Sequence, residues 1–374
     1  MRTTQSVWTP RDGWSAPLGG PATCVLVFGA RHLLRESPAL AEVRAAWPGV
    51  PVVGGSTSGE IADVRVLDDT VVATAVHFDR VTVRGLAAPL AGAADSHATG
   101  GVIGAALRAP DLRHVLVFSE GVHVNGSELS LGLADALGDV PVTGGLAGDG
   151  ADFRETCVVW DGTPRAHEVV ALGLYGEALR TGYGSLGGWD PFGPDRVITR
   201  ARDNVLYELD GESALALYRR YLGEHAANLP SSGLLFPLIL LGPNREPGVV
   251  RTILGIDEAE GSLIFAGDVP QGRFARLMRA NMDRLIDGAT GAASASRSVM
   301  GAHATQLALL VSCVGRKLVL GVRTEEEIEG VRDILGAACT LAGFYSYGEI
   351  SPLTPTARCE LHNQTMTITT FAED

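Results

Sequence analysis

Val25-Leu26-Val27-Phe28 and Pro51-Val52-Val53-Gly54-Gly55 are the stretches that organise this chain, because both come back further on. Val115-Leu116-Val117-Phe118 and Pro141-Val142-Thr143-Gly144-Gly145 repeat them at one offset, 115 − 25 = 141 − 51 = 90. Two blocks returning in one register mark a duplication. A third pair, Val71-Val72-Ala73 and Val169-Val170-Ala171, is displaced by 169 − 71 = 98, as a short insertion in the second copy requires. Each copy reads as a strand, a helix, a strand running into a Gly-Gly turn, and further strands. In the first copy these fall at 24–28, 37–46, 50–54 and 71–84. In the second they fall at 114–119, 125–137, 140–143 and 156–173, extended by 179–186. Asn125 with Glu128 three residues on gives the second helix a capping-box-like start. A strand–helix–strand order makes the two strands parallel neighbours, and the strands that follow are close enough to meander antiparallel.

The expected fold is therefore α+β, with mixed β-sheets flanked by helices. A Gly/Pro-rich passage at 187–194 divides the chain into a duplicated domain over 20–194, with repeats at about 22–90 and 112–186, and a second α/β domain over 195–374. In the latter, strands are expected at 234–241, 249–256, 263–266, 307–313 and 317–322, and helices at 212–222, 274–287 and 325–335. Leu215, Tyr218 and Leu222 form a core-facing stripe on the first of these helices.

Composition narrows the function classes. The 374 residues carry a formal net charge of −13, and Lys317 is the single lysine. No basic stripe is present to track phosphates, so a nucleic-acid partner is not expected. Mean hydropathy is +0.17, yet no apolar run approaches the ~20 residues of a membrane span. The N-terminal residues lack the apolar core of a signal peptide, so the protein is expected to be cytoplasmic. Five cysteines without C-x-x-C spacing argue for reduced thiols. No H-E-x-x-H, G-x-S-x-G or EF-hand pattern occurs, and an enzyme is not expected. The Gly-Gly turns lack a G-K-[ST] and read as tight turns rather than phosphate cradles.

Chemistry-bearing residues concentrate in the C-terminal stretch 343–370, GFYSYGEISPL…CELHNQTMTIT. On an extended strand Tyr345, Tyr347 and Glu349 share one face, and His362 and Gln364 fall on the side of Met366 and Ile368. Such a cluster is either a satisfied core network or the wall of a ligand pocket. Upstream, Cys313 and Arg316 lie at a strand end in Ser312-Cys313-Val314-Gly315-Arg316. Cys313 is a small apolar residue there, or a nucleophile activated by His362 with Glu349 orienting it. Arg316 is either a carboxylate clamp or one half of a surface salt bridge. His123, His167 and His303 are further histidines outside the cluster. Glu325–Glu327 suit the start of a helix.

The stretch from 307 to the end, and less strongly the duplicated half, resembles the FIST proteins, a bacterial sensory family. That resemblance implies a sensor for a small ligand that acts in trans on a signalling partner, such as a histidine kinase, a cyclic-di-nucleotide enzyme or a chemoreceptor. Some FIST members are similar to haem proteins that sense nitric oxide, which implies haem b with His362 as axial ligand and Asn363 beside it. The alternative ligand is a small metabolite such as an amino acid. Arg316 then holds the carboxylate, Glu349 the ammonium, and Tyr345 and Tyr347 supply walls. A hydrolase or transferase using Cys313, and a purely structural scaffold, are the remaining alternatives.

Overall fold

A computed structural model describes residues 1–229, 231–354 and 357–374. In the first repeat, Cys24–Gly29 pairs in parallel with Val52–Ser56 and antiparallel with the return strand Val71–His77. The return strand carries Arg2–Thr9 on its other side. In the second repeat Leu112–Ser119 pairs in parallel with Val142–Leu146 and antiparallel with Glu168–Tyr175, against which Thr82–Pro89 lies. The α+β class expected from the sequence, with mixed sheets flanked by helices, is what is found. Asn125 caps the helix Gly126–Leu137, its side chain accepting from the backbone N–H groups of Ser127 at 3.0 Å and Glu128 at 3.1 Å.

The pattern occurs a third time. Leu307–Cys313 pairs in parallel with Thr340–Ser346 and antiparallel with Met366–Glu373, and Leu179–Leu186 completes the edge. Each repeat also lends a hairpin to a neighbour. Strands Glu60–Ala62 and Arg65–Leu67 extend the third repeat's sheet. Val158–Trp160 and Thr163–Arg165 extend the first, and Gly348–Pro352 and Cys359–His362 extend the second. The exchange closes a ring of three sheets. Strands from either side of residue 194 share the second and third repeats' sheets, while the first repeat's sheet is built wholly from residues before it.

One glycine per repeat makes the parallel pair possible. A Cβ on Gly54, Gly144 or Gly343 would stand 1.8, 1.8 and 1.9 Å from the carbonyl oxygens of Val27, Val117 and Leu310. Only a residue without a side chain lets the two backbones approach so closely. Where the three inner sheet faces meet, Phe28, Phe118 and Phe344 form one aromatic cluster. Its ring centroids are separated by 5.4 Å (Phe28–Phe118), 4.5 Å (Phe28–Phe344) and 6.2 Å (Phe118–Phe344). Such offset and edge contacts add to the burial of the rings themselves.

Between the edge strand and first strand of the third repeat the chain inserts a separate sheet, running from Arg196–Arg202 to Phe274–Arg279. The helix Ala214–Leu222 lies on it with Leu215, Tyr218 and Leu222 buried, as the spacing predicts. Two expectations fail nearby. Residues 274–287 are not one helix: Phe274–Arg279 is a strand paired with Leu238–Leu241, and the helix is Met282–Met300. Its start is set by Asn281, whose side chain accepts from the Arg284 N–H. Residues 317–322 are not a strand, because Val314–Leu320 is helical and stops at Gly321, φ +56°. Tertiary packing of Val314, Val319 and Leu320 overrides their strand propensity there.

Candidate functional site

Most of the C-terminal cluster is bonded within the core, the exceptions among the described residues being Asn363 and Gln364 Oε1. Tyr345, Tyr347 and Glu349 do not share a face, because the chain leaves the third repeat's sheet after Ser346 and enters the second repeat's sheet at Gly348. Tyr345 is fully buried and its hydroxyl donates to Glu327 Oε1 at 2.7 Å. The Tyr347 hydroxyl donates to the Asp149 carboxylate and its ring stacks on Phe153, centroids 4.3 Å apart.

Arg316 is neither at the surface nor open to a ligand. It is 0% exposed, and its Nε and Nη2 donate to Glu327 Oε2 at 3.2 and 2.7 Å. Its Nη1 donates to the Gly187 carbonyl at 2.5 Å, and Nη2 also to the Leu285 carbonyl at 2.7 Å. Glu327, read from sequence as a favourable charge at a helix start, is this buried counter-ion; Glu325 accepts from the Val66 N–H instead. Glu349 accepts from Ser346 Oγ at 2.8 Å and from Thr365 N–H and Oγ at 3.1 and 2.9 Å. Burial pushes its carboxyl up to about 8 against those bonds. Glu60 in the first repeat is its counterpart. It is bonded by the Thr57 and Thr70 hydroxyls and raised to about 7, again by burial.

The residues present do not fit a haem on His362. The imidazole is 1% exposed and its Nε2 bonds the Ser351 carbonyl at 2.9 Å, so this nitrogen carries the proton and cannot ligate iron. Burial lowers the ring to about 4. Asn363 is likewise buried, with both amide atoms unpartnered among the described residues, and does not line the cavity described below. Cys313 is 3% exposed, and burial, reinforced by Glu349, drives its thiol well above the usual range. A thiol so protonated is not a nucleophile.

The open site lies elsewhere, where the inserted sheet meets the second repeat. A cavity of about 590 Å³ is walled by Ser127 and Glu128 in the first turn of Gly126–Leu137, by Leu240, Glu246, Val249 and Arg251 of the inserted sheet, by Asp268 and Arg273, and by Cys359, Glu360 and Leu361. That volume suits a small molecule. Arg251 is its chemical centre. The residue is 5% exposed, and its Nε donates to the Asp268 carbonyl at 3.0 Å and Nη1 to the Leu361 carbonyl at 2.9 Å. Nη2 has only a long 3.5 Å contact with Ser127 Oγ. No carboxylate stands within ion-pair distance among the described residues. Burial lowers the guanidinium to about 10, with Glu360 and Asp268 acting against that. Glu360 in turn is raised by its own burial. An arginine cation buried on neutral acceptors only is an expensive arrangement that an anion in the cavity relieves.

Sequence reasoning missed Arg251, Asp268 and Glu360. They come from three separated segments with no shared spacing, and the one available signal was an arginine closing the apolar run Val249-Val250-Arg251.

The chain is a three-repeat ring with a cavity of small-molecule size where an inserted sheet meets the second repeat. The chain belongs to the FIST family: the FIST N domain matches residues 23–212 and the FIST C domain residues 214–352. FIST domains are sensory domains that bind small ligands in signalling proteins. No curated protein matches the chain. Among solved structures, the crystal structure of a cyanuric acid hydrolase from A. caulinodans is similar at 9% identity and a TM-score of 0.36, covering 100% of this chain and 99% of that one. Among the described residues no helix is long and apolar enough to cross a membrane.

Proposed function

We propose that this FIST protein senses a small zwitterionic metabolite of the amino-acid kind, bound in the cavity around Arg251. The observation that carries the reading is the buried Arg251 guanidinium with its underused Nη2 on the cavity wall. A carboxylate is the ligand group that such a planar fork takes best. The acids around it, Glu128, Glu246, Asp268 and Glu360, suit an ammonium at the ligand's other end. The cavity joins helix Gly126–Leu137 of the FIST N domain to strand Pro247–Arg251 of the FIST C domain, so a bound ligand touches both. Differential contact across two such bodies is how a ligand shifts a population of states. The report then passes in trans to a signalling enzyme such as a histidine kinase or a cyclic-di-nucleotide enzyme, in the cytoplasm, where five free and buried cysteines stay reduced. The role is binding rather than catalysis.

The test is a thermal-shift screen of the twenty amino acids, with the matching amines and acids as controls. At 100 times its Kd a ligand stabilises by about 2.7 kcal/mol. The zwitterion is expected to raise Tm and the amine lacking a carboxylate to fail. Arg251→Met should abolish the shift, and Glu360→Gln should reduce it without touching the carbonyls that Arg251 holds. An unaltered shift in Arg251→Met sinks this reading. A sharp Soret band on adding haem, lost in His362→Ala, replaces it with a haem sensor.

A further inference from the structure

We propose that Glu120, His123 and His167 form a binding site for a divalent transition metal, with Zn²⁺ as the probe. The three side chains come from two loops of the second repeat, and one ligand atom from each lies within 4.8 Å of the others. The two imidazole rings lie side by side and tilted, centroids 5.0 Å apart and planes at 57°. His123 Nδ1 is 3.5 Å from Glu120 Oε2. Two neutral imidazoles and one carboxylate are the donor set of an open zinc site, in which water or an exogenous ligand fills the remaining position.

The loops are built to hold that geometry. Glu120 follows the first strand of the second repeat and is 2% exposed. Its carboxylate is fixed by the backbone N–H groups of His123 at 2.6 Å and Val122 at 3.1 Å. No Arg or Lys stands within ion-pair distance of it among the described residues; the His123 ring is its neighbour. A buried carboxylate without a cation calls for one, and fixed outer bonds orient such a ligand in metal sites. The Gly121 N–H donates to Thr156 Oγ1 at 2.8 Å and closes the loop from the other side.

His167 is held independently. The Glu120 N–H donates to the Glu168 carbonyl at 3.1 Å, and the Leu90 N–H to the His167 carbonyl at 2.8 Å, which pins the backbone on both sides. His167 itself has φ +55°, a left-handed conformation uncommon for a residue with a side chain. Strained backbone of this sort concentrates at functional positions. Both histidines are exposed, so metal reaches them directly and their replacement leaves the core intact. Glu120 lies three residues past Val117, and the positions three residues past Val27 and Leu310, its register equivalents, hold Ala30 and Cys313, so the site belongs to one repeat only.

Calorimetric titration of the untagged, chelator-treated full chain with Zn²⁺ tests the site. One equivalent is expected to bind, and Co²⁺ in its place should show visible bands of a low-coordinate site. His123→Ala with His167→Ala should lose the equivalent, and Glu120→Gln should weaken it by at least about tenfold. Unchanged thermal melting of the double histidine variant shows that the fold is kept. No saturable Zn²⁺ binding to the wild-type chain, or binding unchanged in the double variant, overturns the proposal.

Discussion

Replacing Glu327 with Gln removes the negative half of a pair in which both side chains are fully buried. Glu327 accepts four bonds. Oε1 receives Ser312 Oγ at 3.2 Å and Tyr345 Oη at 2.7 Å, and Oε2 receives Arg316 Nε at 3.2 Å and Nη2 at 2.7 Å. In the variant the amide oxygen can turn to Arg316 and the NH₂ to the two hydroxyls, which rotate to accept. Hydrogen bonding is thus largely kept, while the guanidinium loses its counter-charge inside the core. Removing one partner of a buried pair costs about 3–5 kcal/mol. With an m-value of about 3 kcal/mol/M the urea midpoint falls by about 1–1.7 M. Equilibrium urea unfolding followed by tryptophan fluorescence measures it. The reasoning predicts that the amino-acid thermal shift survives in the folded variant, because Arg316 serves the core. A midpoint within about 0.2 M of wild type, or loss of ligand response in a variant of unchanged stability, refutes it.

Gly343→Ala, like Gly54→Ala and Gly144→Ala, drives a Cβ to within 2 Å of a backbone oxygen, and each is expected to cost about 3 kcal/mol or more in urea unfolding. Four buried groups set the pH profile. His114 and His362, held by burial near 3 and 4, are neutral in the native state but protonate on unfolding, so their contribution is lost as pH falls below 6.5. Glu60 and Glu349, raised to about 7 and about 8, contribute stability that is full below 4.5 and lost as pH rises through their folded values. The opposing slopes cancel between 4.5 and 6.5, so urea midpoints should show a plateau there and a decline above it. Glu349→Gln should flatten that decline. All five cysteines are buried, and burial raises Cys24 and Cys359 to about 12. A disulfide exchange reagent should therefore label no thiol rapidly in the native chain and all five in denaturant.

The duplication was legible because VLVF and P-V-x-G-G are kept word for word in two repeats. The third repeat was not. It writes Ala308-Leu309-Leu310-Val311 and Gly343-Phe344 in the same places, with a whole inserted sheet between its edge strand and its first strand. Of the inserted elements, the helix over 214–222 was readable from its stripe. Residues 274–287 misled because Leu277, Met278 and Leu285 satisfy a helical period while the strand Phe274–Arg279 is fixed by partners far away in sequence. Burial of the C-terminal cluster was readable too, since polar residues alternate with apolar ones along the strands. Their inward partners were not.

What the sequence determined by itself was local and periodic: the α+β class, two of the three repeats, the Asn125 cap and the family. The tertiary structure decided whatever depends on which strand lies beside which. Hairpin exchange carries Tyr345 and Tyr347 into different sheets, packing of two successive helices closes Arg316 and Glu327 into a core pair, and pairing within the lent hairpin seals His362 against the Ser351 carbonyl. The same exchange, with the inserted sheet, gathers Ser127, Arg251, Asp268 and Glu360 around one cavity. Those residues share no period or spacing, because what brings them together is long-range strand pairing, and pairing between distant segments leaves no mark on either segment alone.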